Sequence, residues 1–176
     1  LMALMIGITA GGIKGTLEEF YPILLFGKHI PLLYIGLVIG IFEAMKIITS
    51  MLGILLKPSL KTQIILLGSI GLAMLGAGFF SGIYVVLCLL AVTYIDVRLW
   101  ILNDTWLQES VSNNRSTIAS IKNFGIELIA FLFFGIYSFI GSYSVSLFNI
   151  VGGLTLLFVA GCMTNLETLL YKKRPW

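Results

Sequence analysis

Six long apolar stretches, separated only by short runs of turn-forming residues, constrain this chain more than any other feature. They run roughly over 2–27, 32–56, 62–80, 83–107, 116–140 and 144–170. A membrane-spanning helix needs about 20 apolar residues, so six of them nearly exhaust a chain of 176. A barrel strand would be about ten residues with strict alternation. Ile64 to Phe80 and Ser144 to Leu166 are long, unbroken and not alternating, so the pattern predicts helices. The expected fold is an all-α membrane protein, a single six-helix transmembrane bundle over 1–176.

Composition agrees with the bilayer as solvent. Charged residues make up 11% and mean hydropathy is +1.04, against roughly 25% charged in soluble domains. So few charges cannot clothe a soluble core. Net charge is +3 with no long basic run, which argues against nucleic acid as a partner. Cys88 and Cys162 lie inside apolar runs and read as buried packing residues. The lone His29 reads as a loop residue. No cofactor or metal site is expected. The chain opens on Leu, with apolar residues at once and no basic leader, which reads as a piece cut where a longer protein enters a helix.

The punctuation is Gly27 to Pro31, Leu56 to Lys61, Phe80 to Gly82, Ser110 to Arg115 and Gly141 to Ser144. Turns this short make neighbouring helices antiparallel. Lysine and arginine favour the cytoplasmic side. With a cytoplasmic N-terminus, the inner segments hold Lys57, Lys61, Arg115, Lys172, Lys173 and Arg174, and the outer turns hold only Lys28. Both ends of this segment are therefore expected in the cytoplasm, in a cell membrane (plasma or bacterial inner). The sequons at Asn103 and Asn114 then face inward and are chance matches. Gly7/Gly11, Gly36/Gly40 and Gly78/Gly82 have the spacing that lets helices approach closely, read here as packing within one bundle. Trp106 and Trp176 suit interfacial anchoring, and Trp100 lies near Trp106 toward the inner end of the fourth stretch.

Charges inside the spans carry the functional information, because each needs a partner or a wet cavity. The first stretch holds Lys14, Glu18 and Glu19, and the second Glu43 and Lys46. The fourth holds Asp96 and Arg98, with Asp104 at its boundary. The fifth holds Lys122 and Glu127. The third and sixth hold none until Glu167, so these two can face lipid all round. At about 1.5 Å per residue, Lys14, Glu43 and Glu127 lie near mid-depth, with Asp96 somewhat inward. Lys14/Glu18 and Glu43/Lys46 are spaced to meet on one helix face. Asp96 and Arg98, two apart, point to different partners. Four in-span cations stand against five anions, leaving Asp104 out. For any one pair, a structural ion pair is the competing reading. For the whole set, a polar pathway explains the common depth better.

The segment NDTWLQESVSNNRSTIASIKNFGIEL, Asn103 to Leu128, resembles the loop between the tenth and eleventh helices of major facilitator superfamily transporters. There a polar stretch ends in an Arg-Ala-Thr-like triplet followed by a Ser, matched here by Arg115, Ser116, Thr117 and Ser120. Gly15 to Pro22 is similar to the seventh helix of such proteins. Where the family carries a Gly-rich basic loop, this chain keeps Gly53, Lys57 and Lys61. The resemblance implies the C-terminal six-helix half of a transporter, a 3+3 inverted repeat with substrate near the midplane, and a missing N-terminal half as partner.

The leading expectation is secondary active transport of a small solute by alternating access, coupled to protons, as symport or antiport. Candidate coupling carboxylates are Glu18, Glu19, Glu43, Asp96 and Glu127. Lys14, Lys46, Arg98 and Lys122 are candidate anion ligands or counter-ions, and Tyr94 and Asn123 candidate hydrogen-bonding groups. A membrane enzyme is not expected, since no catalytic motif such as HExxH or GxSxG occurs. A non-transporting scaffold or sensor is the alternative. It would show these charges paired around a dry, closed interior.

Overall fold

The computed structural model describes residues 2–52, 59–110, 115–140 and 144–172. Among them every regular element is a helix: α1 (Met2–Glu19), α2 (Tyr21–Gly27), α3 (Leu32–Leu52), α4 (Leu60–Phe79), α5 (Ile83–Ser110), α6 (Arg115–Ile140) and α7 (Val145–Lys172). Gly53, Lys57, Asn114, Gly141, Lys173, Arg174 and Trp176 lie outside the described residues. Five helices, α3 to α7, are long and apolar enough to cross a membrane. The chain is a helical, multi-span membrane protein.

The first apolar stretch is two helices rather than one. The cause is Pro22, at the start of α2. A proline nitrogen cannot donate to the carbonyl four residues back, and its ring crowds that carbonyl. The chain responds at Phe20, whose amide bonds Leu17 three residues back at 3.0 Å, and whose φ of −97° and ψ of 0° leave the regular helix. The break lies directly beside Glu18 and Glu19.

Helix ends follow local chemistry. Ser59 caps α4, its hydroxyl accepting from the Thr62 amide at 3.0 Å. After α2, His29 takes a φ of 65° while the Ile30 amide reaches back to the Leu25 carbonyl at 3.0 Å. That is a left-handed helix stop, a position usually held by glycine, so His29 is more than a passive loop residue. Lys28 Nζ donates to the Gly78 carbonyl at 2.7 Å, tying this turn to the end of α4. Partial burial there pulls its ammonium below the usual lysine pKa.

α4 and α7 make the most extensive helix pair, and α4 also packs along α5 and against α1. Neither takes the lipid-all-round placement that their lack of charge allows. Gln63, Ile64, Leu67, Ile70, Gly71, Met74, Ala77 and Gly78 of α4 are buried. Lack of charge reflects a dry packing surface as readily as a lipid-facing one. A Cβ on Gly71 would lie 2.9 Å from the Gly153 carbonyl oxygen, and one on Gly153 would lie 2.7 Å from that of Gly71. The two backbones touch where neither residue has a side chain. Of the glycine pairs singled out by spacing, Gly7, Gly11 and Gly78 do face close neighbours. Among the described residues, a Cβ on Gly36 or Gly40 would meet nothing within 4 Å, and Gly82 sits in a turn at a φ of 59°. Cys162 is exposed rather than buried, and Cys88 is half-buried; both are free thiols.

Candidate functional site

Five charged residues from α1, α3 and α5 converge in one network. Lys14 is one of its two bridging cations. Its ammonium pairs with Glu18 one turn on and with Asp96 of α5, the latter at 3.2 Å. Lys46 of α3 is the other, pairing with Glu18 and, at 2.7 Å, with Glu43. The order is Asp96, Lys14, Glu18, Lys46, Glu43, with signs alternating. Burial grades along it: the side chains of Lys14 and Asp96 are 11% and 13% exposed, and that of Glu43 is 59% exposed. The inner end is sealed between helices and the outer end is open.

The outer end opens into a cleft of about 390 Å³ lined by Glu18, Glu19, Tyr21, Pro22, Ile39, Phe42, Glu43 and Lys46. Its aromatic wall is Tyr21 against Phe42, edge to face at 5.8 Å. The Tyr21 hydroxyl is buried, has no hydrogen-bond partner among the described residues, and lies within electrostatic reach of Glu18 and Asp96. The sequence reading missed Tyr21; the clue was its place beside Pro22, where a helix break turns a side chain inward.

Lys122 belongs elsewhere. It is buried on α6, pairs with Asp104 of α5, and its ammonium stands 3.8 Å from the centre of the Trp100 ring. This node lines a second cleft, of about 280 Å³, with Asn123 and Arg115 among its walls. Asp104, at the boundary of its span, is the Lys122 counter-ion. Arg98 faces away from the main network, with its guanidinium 3.2 Å from the Tyr94 hydroxyl and stacked over that ring. Arg98 follows Asp96 by two positions, and the helix sends them to different faces. Glu127 is not drawn into either node. It is exposed and lines a third cleft, between α1 and α6, with Glu19, Gly15 and Thr16. Ser116, Thr117 and Ser120 lie exposed in the first turns of α6.

A neutral polar node was also missed. Asn103, fully buried on α5, donates from Nδ2 to the Ala3 carbonyl at 2.6 Å and to Gln63 Oε1 at 3.0 Å. It joins α1, α4 and α5, and its burial removes the sequon there from any surface. Among the described residues no group of three or more His, Cys, Asp or Glu side chains is placed to hold a metal ion.

No protein-family model matches this chain, and comparisons with curated proteins and with solved structures return no match.

Proposed function

We propose that this chain is half of a secondary active transporter of a small solute, working by alternating access and coupled to protons. The observation that carries the reading is the five-residue charge network, sealed at Asp96 and open at Glu43. An ion pair that serves only to join helices gains nothing from an open end, because exposure to water or headgroups weakens it. A solute pathway needs that graded access. The open clefts at Glu43 and Glu127 weigh against a scaffold with a dry, closed interior.

The packing order supports a major-facilitator-like half with a 3+3 repeat, counting α1 and α2 as one interrupted span. α1 packs on α6 as α5 packs on α3, and α4 packs on α7. That is the exchange an inverted repeat of α1–α4 on α5–α7 generates. In this frame six spans cross a cell membrane, the end bearing Lys61 and Arg115 faces the cytoplasm, and a second half completes the pathway. The test is flux in proteoliposomes carrying the full-length protein under an imposed pH gradient. Solute movement that collapses with the gradient is the expected result. Unchanged uptake after neutralising Glu18, Glu19, Glu43, Asp96 and Glu127 together would remove the coupling assignment.

A further inference from the structure

α5 and α6 follow one another in sequence, yet they pack mainly on other helices. α6 packs on α1, and α5 on α4, α3 and α1. Between the end of α5 and the start of α6 lies the cleft of about 280 Å³. Its depth in the bilayer follows from helix length. The spanning part of α5, Ile83–Glu109, has 27 residues. That is about 40 Å of helix against about 30 Å of hydrocarbon. Asn103, Asp104, Thr105, Gln108 and Glu109 gather at the end bordering the cleft, so the excess length there stands in the headgroup layer. The lining charges sum to a cation, with Arg115 and Lys122 against Asp104. The Lys122 side chain is only 4% exposed, held between Asp104 and the Trp100 ring. It neutralises Asp104 from within the bundle. A ligand would meet the exposed residues instead: Arg115, Gln108, Asn123 and Trp100. Leu107 and Ile118 add apolar lining.

We propose that this cleft binds the phosphate of a net-anionic phospholipid headgroup. Arg115 pairs with the phosphate, the Gln108 and Asn123 amides donate to its oxygens, and the glycerol end of the lipid rests on Trp100, Leu107 and Ile118. Three observations point the same way. The lining charge selects an anion. The accessible cation is a guanidinium, whose planar fork matches phosphate, and whose five N–H donors exceed what one protein partner takes. The cleft sits between two spans at headgroup depth and joins polar to apolar walls, which suits a lipid better than a free anion. Asp104 limits the affinity, because its carboxylate shares the cleft with the phosphate.

Binding here is measurable without any transport assay, so it stands or falls apart from the solute pathway. The full-length protein in a neutral detergent is titrated calorimetrically at pH 7 with dioctanoyl phosphatidylglycerol, dioctanoyl phosphatidylcholine and inorganic phosphate. Saturable phosphatidylglycerol binding, about tenfold or more tighter than either of the others, is expected from a charge-assisted bond joined to apolar contact. Arg115→Gln should weaken it about tenfold. Lys61→Gln, at the start of α4 and outside the cleft, should leave it unchanged. Asp104→Asn removes the competing carboxylate and should strengthen it, which mere damage to the cleft walls cannot do. Phosphatidylcholine binding as tightly as phosphatidylglycerol overturns the proposal. Inorganic phosphate binding as tightly does so too, since the ligand is then a free anion. Equal losses for Lys61→Gln and Arg115→Gln would show diffuse surface attraction, and weaker binding in a folded Asp104→Asn would remove the phosphate from this cleft. Should a variant fail to fold by circular dichroism, the three-ligand comparison on the unaltered protein decides alone.

Discussion

α4 and α7 are held together by having almost nothing between them, whereas α1, α3 and α5 are held around five charged side chains. At the first contact Gly71 and Gly153 bring backbone against backbone. At the second, Lys14 and Lys46 stitch three carboxylates from three helices. Between helices already in lipid, burial of apolar surface supplies little drive, and close packing and polar bonds take over. The chain uses these two means in different places. A glycine contact has one good arrangement and resists change. An ion-pair chain can exchange partners, which suits the part of the molecule proposed to bind and release.

The largest expected effect tests whether the charged region is one interdependent unit. Lys14→Met removes the cation shared by Glu18 and Asp96. Glu18 keeps Lys46, but Asp96 is left buried without its cation. Such a loss costs about 3–5 kcal/mol, a fall on the order of 10 °C in thermal midpoint for a chain of this size. Pairing it with Asp96→Leu should recover most of the loss, because no buried charge then stands alone. Additive destabilisation in the double variant, measured by thermal unfolding in detergent, would mean that the network is not organised around this pair.

The glycine contact gives a smaller effect with a distinctive sign. A Cβ on Gly161 of α7 would meet nothing within 4 Å among the described residues, so Gly161→Ala should stabilise by up to about 1 kcal/mol through helix propensity. Gly153→Ala places a methyl against the Gly71 carbonyl, a backbone atom that cannot step aside. It should destabilise by about 1–3 kcal/mol. Equal shifts for the two alanines would show that α4 and α7 are not locked at this point.

How legible all this was in the sequence differs between the two regions. Helical structure and long apolar spans follow from run length alone, and two network pairs, Lys14–Glu18 and Glu43–Lys46, follow from i,i+4 and i,i+3 spacing, whereas Lys14–Asp96 and Lys46–Glu18 cross between helices. The interruption at Phe20 was written in Pro22 but overridden by the length of the apolar run around it. The α4–α7 contact was illegible, since absence of charge looks alike on a dry packing face and a lipid face. Gly36/Gly40 shows the converse: the right spacing on α3, with nothing within 4 Å of a Cβ there among the described residues. Partners from distant helices, such as Asp104 for Lys122 or Gln63 for Asn103, depend on helix rotation, which periodicity without an external reference does not set.

The smallest expected stability effect sharpens the contrast most. Glu43 is the open end of the network, and its loss leaves Lys46 still paired with Glu18. Glu43→Gln should therefore change stability by less than about 1 kcal/mol, as exposed ion pairs do. The same substitution removes a carboxylate that lines the cleft of the proposed solute pathway, so gradient-driven flux should fall even though the fold does not. A side chain that matters to transport and hardly to stability is what graded burial along the network leads one to expect. If Glu43→Gln instead cost as much stability as Lys14→Met, the outer end would be as structural as the inner one. The contrast between a locked glycine contact and an exchangeable ion chain would then collapse into two forms of static packing.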